Sequence, residues 1–213
     1  MIISISSLKG GTGKSTISQN LAVCFAHMGY KTIIIDTDTN GSSQRWSGLR
    51  PEDYPEVPAV SISDPRALRK NINQIQKDYE MVIVDGTPAL SELASTIILI
   101  SDLLLIPIKP GVLDLWATEK FIEKYEQALV LKQDINARFL LNQVDSRTKI
   151  SHEVYDVLKD FGIEPMQSQI NNRIAYSEAI ISGLGVYEFK DPKAKDETIK
   201  LANETIEVLT NMD

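Results

Sequence analysis

The segment SSLKGGTGKST, residues 6–16, carries side chains and glycines suited to phosphate chemistry. Its three closely spaced glycines permit backbone angles that turn amide N–H groups inward around an anion. Lys14 follows them and can reach terminal phosphates, while the hydroxyl of Ser15 can ligate Mg²⁺. A helix that begins near Lys14 adds its positive end. The segment therefore predicts a phosphate-binding loop rather than a simple glycine turn between a strand and a helix.

The loop departs from the general G-x-x-x-x-G-K-[S/T] pattern at its first position, where Leu8 stands in place of glycine. It also contains a second lysine, Lys9, at its front. A second lysine can contact the same phosphates or lie in solvent.

Acidic residues follow two further apolar runs. Asp36 ends the run KTIIID, Asp38 follows two residues later, and Asp85 ends the run MVIVD. Paired acids at such points can hold Mg²⁺ through water or orient an attacking water. They can equally cap a helix or form a turn. Gly86, next to Asp85, would let the backbone approach a terminal phosphate.

These segments sit in a chain in which apolar, β-branched runs alternate with helical patterns. Runs that are apolar throughout predict strands buried on both faces, and their alternation with helices predicts a parallel sheet. The expected fold class is α/β: one P-loop NTPase domain over residues 1–213, with a mostly parallel twisted sheet flanked by helices on both faces. Ligands bind such sheets at the carboxyl ends of the strands, where the loop and the acids would meet.

Composition excludes several kinds of protein. The 213 residues fit one domain, and the formal charge of −7 repels a polyanion except at a local basic patch. The one cysteine, Cys24, excludes an intrachain disulfide and disfavours a thiolate metal cluster. The most apolar stretch, Ile97–Ile108, is too short and too interrupted for a membrane helix, and no secretory signal is visible. A cytoplasmic protein is expected.

The motifs resemble those of the ParA family of partition ATPases, within the deviant Walker A group. KGGTGKST matches the family's K-G-G-x-G-K-[S/T]-T. IIIDTDTNGSSQRW resembles its D-x-D-P-Q-G motif, with Thr39 and Asn40 in place of proline and glutamine. MVIVDGTPAL resembles its Walker B segment, and SDLLLIPIKPGVLDLWA is close to another family stretch. The resemblance covers nearly the whole chain.

The resemblance implies specific roles. Lys9 would reach across a dimer interface to the partner's phosphates, so that two chains sandwich two ATP molecules. Asp36 and Asp85 would hold Mg²⁺ through its waters, and Asp38 would orient the hydrolytic water. Asn142, after a later strand, resembles a residue that reads adenine, although an asparagine there can simply cap a turn. The predicted nucleotide-binding residues are Lys9, Gly10, Gly11, Thr12, Gly13, Lys14, Ser15, Thr16 and Asn142; Lys9, Lys14 and Asp38 are the predicted catalytic residues, and Ser15, Asp36 and Asp85 the predicted metal ligands.

The resemblance also implies nonspecific DNA binding by the ATP-bound homodimer, which conflicts with the charge of −7. Arg147 and Arg173 lie in segments that resemble DNA-contacting parts of the family, but both can be ordinary surface charges. A membrane partner is not expected, because residues 196–213 hold five acids against one lysine. With no N-terminal extension before its first strand, the chain resembles the short plasmid-type members of the family.

The leading hypothesis is an ATP-dependent partition protein that works with a ParB-type centromere-binding partner. Its expected cofactors are ATP and Mg²⁺. Two alternatives stay open. One is a P-loop enzyme that uses ATP for small-molecule chemistry, as dethiobiotin synthetase does. The other is a ParA-like ATPase that positions a protein cargo.

Overall fold

A seven-stranded sheet forms the centre of the computed structural model, which describes residues 1–89, 91–145, 154 and 157–211, with side chains omitted for 112–117. The strand order is β3-β2-β4-β1-β5-β6-β7, and every pairing is parallel. The strands are β1 (Ile2–Ile5), β2 (Thr32–Asp36), β3 (Ala59–Ser61), β4 (Met81–Asp85), β5 (Leu103–Ile108), β6 (Asn136–Val144) and β7 (Ile170–Asn171).

The central strands are buried along their whole length, as their apolar sequences predict. All residues of β1, β2, β4 and β5 are buried, including the polar ends of β2 and β4. Strands of this kind need a helical layer on each face. The predicted α/β class and parallel sheet are confirmed. The extent of the domain, residues 1–213, stays a prediction.

Helices cover both faces of the sheet. They are α1 (Lys14–His27), α2 (Ser42–Ser47), α3 (Pro65–Asp78), α4 (Glu92–Ile100), α5 (Val112–Leu129), α6 (Ile174–Ile181) and α7 (Pro192–Thr210). Ile3 and Ile5 of β1 pack in the same core cluster as α1, α6 and α7. Ile2 points to the opposite face and packs with α3 and α4. α5 packs on that second face against β5 and β6. Successive side chains of β1 thus pack against helices on opposite faces of the sheet.

The parallel register brings the ends of the strands together. Asp36 of β2 is paired with Asp85 of β4, and Ile5 of β1 is also paired with Asp85. The segments that follow β1, β2 and β4 therefore begin side by side at the carboxyl edge of the sheet. No helix in the described part of the chain is long and apolar enough to cross a membrane.

The sequence did not indicate β3, β7, α2 or α6. β3 has three residues and β7 two, so neither contains enough alternation to be recognised. The short helix α2 begins after Gly41, which has a φ of 62°, in a stretch rich in serine. Its position is fixed by the acids at the sheet edge, described below, rather than by a periodic apolar pattern.

Candidate functional site

The glycine-rich loop lies between β1 and α1 and is held by side chains from inside and outside it. Lys14 Nζ donates to the carbonyl oxygen of Lys9 at 3.0 Å. Asn142 Nδ2 donates to the carbonyl oxygen of Thr12 at 2.6 Å, and Gln143 Nε2 donates to that of Gly11 at 3.2 Å. The first N–H groups of α1 have no acceptor within the helix. Asn142 and Gln143 of β6 thus hold carbonyl oxygens of the loop, and the N-terminus of α1 that follows the loop is suited to bind an anion.

Two glycines are required by this loop geometry. Gly11 and Gly13 have φ values of 74° and 90°, in the left-handed region that favours glycine. A Cβ at Gly13 would also overlap the amide of Asn142. The close approach between the loop and β6 therefore depends on glycine at this position.

Asp36 at the end of β2 holds the start of α2. Its Oδ2 accepts hydrogen bonds from the backbone N–H groups of Ser43 at 2.8 Å and Gln44 at 3.1 Å. Its Oδ1 accepts from the N–H of Asp38 at 3.1 Å. The capping alternative raised for this acid is thus realised in the structure. A contact from Asp36 to Mg²⁺ stays a prediction.

Asp85 at the end of β4 is a buried acid with one oxygen available. Ser43 Oγ donates to Asp85 Oδ2 at 2.7 Å, and Gln19 Nε2 of α1 donates to Ser43 Oγ at 3.2 Å. Within the described residues, Asp85 Oδ1 has no hydrogen-bond partner, although the residue is 1% exposed. A buried carboxylate oxygen of this kind is suited to a cation or to a water that a cation holds.

Burial raises the pKa of Asp85 to about 6, and the neighbouring charge of Asp36 adds to the rise. The hydroxyls of Ser43 and Ser15 and the ammonium of Lys14 act in the opposite direction. Proximity of the Ser15 hydroxyl to this acid fits the oxygen ligands that Mg²⁺ prefers. The described residues contain no cluster of three or more His, Cys, Asp or Glu side chains placed to hold a metal. A Mg²⁺ ion here would therefore depend on phosphate oxygens and water as well.

Lys14 and Asp38 lie near each other at the same edge. Burial lowers the pKa of Lys14, while the negative charges of Asp85 and Asp38 act in the opposite direction. Asp38 is partly exposed, and its Oδ1 accepts a hydrogen bond from the N–H of Asn40 at 2.9 Å in a turn. Its other oxygen can face solvent and an attacking water.

A cleft of about 190 Å³ opens beside the loop and is the place where a base could lie. It is lined by Gly13, Thr16, Asn142, Gln143, Ile170, Asn171, Asn172, Arg173, Tyr176 and Ser177. Asn142 is 3% exposed, and its amide nitrogen is engaged by the loop. A contact between Asn142 and adenine stays a prediction.

Of the two predicted DNA-binding residues, Arg147 lies outside the described residues. Arg173 is described and forms an ion pair with Glu197, with N–O distances of 2.6 and 2.9 Å. Hydrogen bonding to Glu197 raises the pKa of Arg173. Its positive charge is thus largely balanced within the chain, which weakens it as a contact for DNA phosphates. Whether Arg173 contacts DNA stays a prediction.

The structure adds residues that sequence reasoning did not select. Ser43 connects the two acids of the site, and Gln143 holds the loop with a φ of 56°, unusual for a residue other than glycine. Lys109, after β5, places its Nζ 3.9 Å from the position that a Cβ on Gly11 would occupy. None belongs to a recognisable spacing pattern, so only their proximity to the motifs could have suggested them.

Comparison with known proteins identifies the family of the chain that carries this site. Residues 3–186 match the family model described as the CobQ/CobB/MinD/ParA nucleotide binding domain. The chain belongs to this family. The resemblance to ParA proteins is thereby confirmed, and the phosphate-type loop lies in a nucleotide-binding domain of the CobQ/CobB/MinD/ParA family.

Two curated relatives match over nearly the whole of both chains. "Maintenance of carboxysome distribution protein A" of Halothiobacillus neapolitanus is 28% identical over 207 residues, covering 96% of this chain and 95% of the relative. "Sporulation initiation inhibitor protein Soj" of Bacillus subtilis is 23% identical over 245 residues, covering 94% and 95%.

Solved structures share the fold of this chain. The cell division ATPase MinD of Pyrococcus furiosus superposes with a TM-score of 0.78 at 24% identity, covering 98% of this chain and 99% of that one. A Cyanothece McdA–ATP complex gives 0.80 at 15% identity, covering 95% of each chain. MinD of Pyrococcus horikoshii, complexed with Mg-ADP, gives 0.74 at 23% identity, covering 100% and 98%.

Proposed function

We propose that the protein binds ATP with Mg²⁺, hydrolyses it slowly, forms an ATP-sandwich dimer and binds DNA nonspecifically. In this proposal it segregates plasmid or chromosome DNA together with a ParB-type partner. The observation that carries the proposal is the convergence, at one sheet edge, of the two-lysine loop with the buried acid Asp85. The names of relatives, which include "Protein ParA" of Rhizobium radiobacter at 29% identity, support it.

The loop would bind the triphosphate. The N-terminus of α1 supplies N–H donors and a positive dipole end, and Lys14 supplies a cation that is already within the site. Lys14 now bonds to the carbonyl oxygen of Lys9, and it would exchange this neutral acceptor for phosphate oxygens. A charge-assisted bond to phosphate is stronger than one to a carbonyl.

Ser15, Asp85 and, through water, Asp36 would hold Mg²⁺. When bound, the ion would neutralise negative charge that develops on the phosphates during hydrolysis. Asp38 would orient the attacking water, because its carboxylate is partly exposed beside Lys14. Lys9 would cross to the partner's nucleotide, so that the triphosphate binds two chains together.

Sedimentation with and without nucleotide tests this proposal, combined with gel retardation of arbitrary duplex DNA. The wild-type chain should dimerise with ATP but not with ADP, and should retard DNA only as the dimer. Lys9→Ala should stay monomeric and lose DNA retardation while still binding ATP, because its own loop and Lys14 remain. Asp38→Ala should dimerise with ATP but fail to hydrolyse it.

Lys77→Ala is the matched control for Lys9→Ala. Lys77 is exposed near the C-terminal end of α3, just before β4 begins, and so lies toward the opposite edge of the sheet. The control changes net charge equally and should behave as wild type. A wild-type chain that stays monomeric with ATP, or whose ATP turnover requires a metabolite, would overturn the proposal in favour of a small-molecule enzyme.

A second function, positioning of a protein cargo, is favoured by the 28% identity with the carboxysome distribution protein over 96% of this chain. The nucleotide chemistry would be the same, and only the partner would differ. Pull-down with ATP-loaded Asp38→Ala, expected to stay dimeric, distinguishes the two. Recovery of a centromere-binding protein supports DNA partition, whereas recovery of a cargo-shell or cargo-adaptor protein supports protein positioning.

A further inference from the structure

The phosphate loop packs along the end of β5 as well as against β6. The N–H of Ser6 donates to the carbonyl oxygen of Leu105 at 3.0 Å, which extends the β1–β5 pairing to the start of the loop. Beyond that point a small cavity lies between loop and strand, and its lining comprises Ser7, Leu8, Lys9 and Thr12 of the loop, Ile106, Pro107 and Ile108 of β5, and Thr118 and Phe121 of α5. The residue after β5 is therefore delivered directly to the loop.

That residue is Lys109. It precedes Pro110, which disfavours helical backbone at the residue before it. Lys109 Nζ lies 3.9 Å from the Cβ position of Gly11, an ordinary van der Waals contact. The Lys109 ammonium thus lies against Gly11, an exposed glycine of the loop.

The charge of Lys109 has no internal partner in the described ranges: its ammonium makes no hydrogen bond or ion pair there. Lys14, by contrast, has Asp85 and Asp38 nearby. Lys109 is partly buried, and a partly desolvated cation with no counter-ion favours binding of an anion at that place.

We infer that Lys109 is a further phosphate-contacting residue of this site, one that adds positive charge beside Gly11 and favours ATP over ADP. The inference rests on the proposed nucleotide-binding function. Attraction between a cation and a nucleotide grows with the charge on the nucleotide, so Lys109 should contribute more to binding of the triphosphate than of the diphosphate. Lys109 differs in this from Asn142 and Gln143, which hold the loop backbone.

Calorimetric titration of the full chain with Mg-ATP and Mg-ADP tests the inference. Lys109→Gln keeps most of the side-chain length but removes the charge, and it should weaken ATP binding about tenfold and ADP binding by a smaller factor. Lys109→Arg keeps the charge and should restore most of the ATP affinity. The ATP difference should shrink as salt rises, because a partly exposed charge is screened.

Lys77→Gln, with the same change in net charge at the other edge of the sheet, should bind both nucleotides as wild type. The melting temperature of Lys109→Gln without nucleotide should equal that of wild type, which separates a ligand contact from a structural role. Equal ATP affinities for Lys109→Gln and wild type overturn this inference alone. Failure of the wild-type chain to bind ATP overturns the proposed function itself.

Discussion

Asp85 combines burial, an available oxygen and a raised pKa in one side chain. These properties suit it to a cation, but they destabilise the folded chain when the carboxyl is ionised. Below about pH 4 the carboxyl is protonated in both the folded and the unfolded chain. Between the ordinary value of 3.8 and the folded value of about 6, only the unfolded chain ionises. Stability is therefore lost as pH rises through this window, and the loss is complete above it.

Asp85→Asn should consequently raise the free energy of unfolding at pH 7 by roughly 1–3 kcal/mol and weaken binding of Mg-ATP. The stability gain over wild type should fade as pH falls from 6 to 4. Urea unfolding across that range measures it. Asp53→Asn removes an exposed acid and should leave stability unchanged at every pH. An Asp85→Asn chain no more stable than wild type at pH 7 would show that burial of this carboxylate is not costly.

At the scale of elements, helix α2 is positioned by the two acids of the site. Asp36 accepts from its first N–H groups, and Ser43 carries the connection to Asp85 and to Gln19 of α1. Six residues are too few for a stable helix by themselves. The protonation state of Asp85 is thus linked through the Ser43 hydroxyl to the position of α2.

Ser43→Ala should lower the free energy of unfolding by about 1–3 kcal/mol, because Ser43 is 0% exposed and its loss leaves Asp85 and Gln19 without that hydroxyl. Hydrogen exchange of residues 37–48 should become faster than in wild type. Ser42→Ala, an exposed neighbour in the same helix, is the matched control. Equal exchange rates in the two variants would contradict a link through the Ser43 hydroxyl.

At the scale of the whole molecule, a buried ionic network joins three distant segments. Arg50 donates to Glu188 at 2.7 and 3.1 Å and to the carbonyl oxygen of Pro55 at 2.8 and 3.2 Å. His27 Nε2, at the end of α1, lies 2.8 Å from Glu188 Oε1. Burial alone would raise the pKa of Glu188, but hydrogen bonds from Arg50, Gly185 and His27 outweigh it and hold the pKa below its usual range.

Glu188→Gln should therefore destabilise the fold by about 3–5 kcal/mol at pH 7, because Arg50 keeps its buried charge without a counter-ion. A lowered pKa contributes stability above the unfolded value of 4.5, which is lost as pH falls through the folded value. The difference between Glu188→Gln and wild type in urea unfolding should accordingly shrink below pH 4.5. Glu92→Gln, in the exposed pair with Arg69, should change little. A similar effect of both variants would contradict the importance of burial.

The sequence alone determined the parallel α/β fold and the main motifs. Continuous apolar runs such as TIIID and LLLIPI are typical of buried strands, and the three glycines and two lysines of the loop lie within six consecutive positions, residues 9–14. Information of this kind is local, so a single sequence contains it. Short elements with few periodic residues, such as β3 and β7, could not be recognised from local sequence.

Only the tertiary structure decided how distant side chains share the site. It joined Ser43 to Asp85, placed Lys109 against Gly11 and paired Arg173 with Glu197. Each contact links residues at least 24 positions apart, and at the centre of the sheet β2, β4, β1 and β5 lie side by side although neighbours in that order are not consecutive in sequence. Hydrogen bonds and ion pairs act over a few ångströms of space, so their partners follow from strand order and register and not from spacing along the chain.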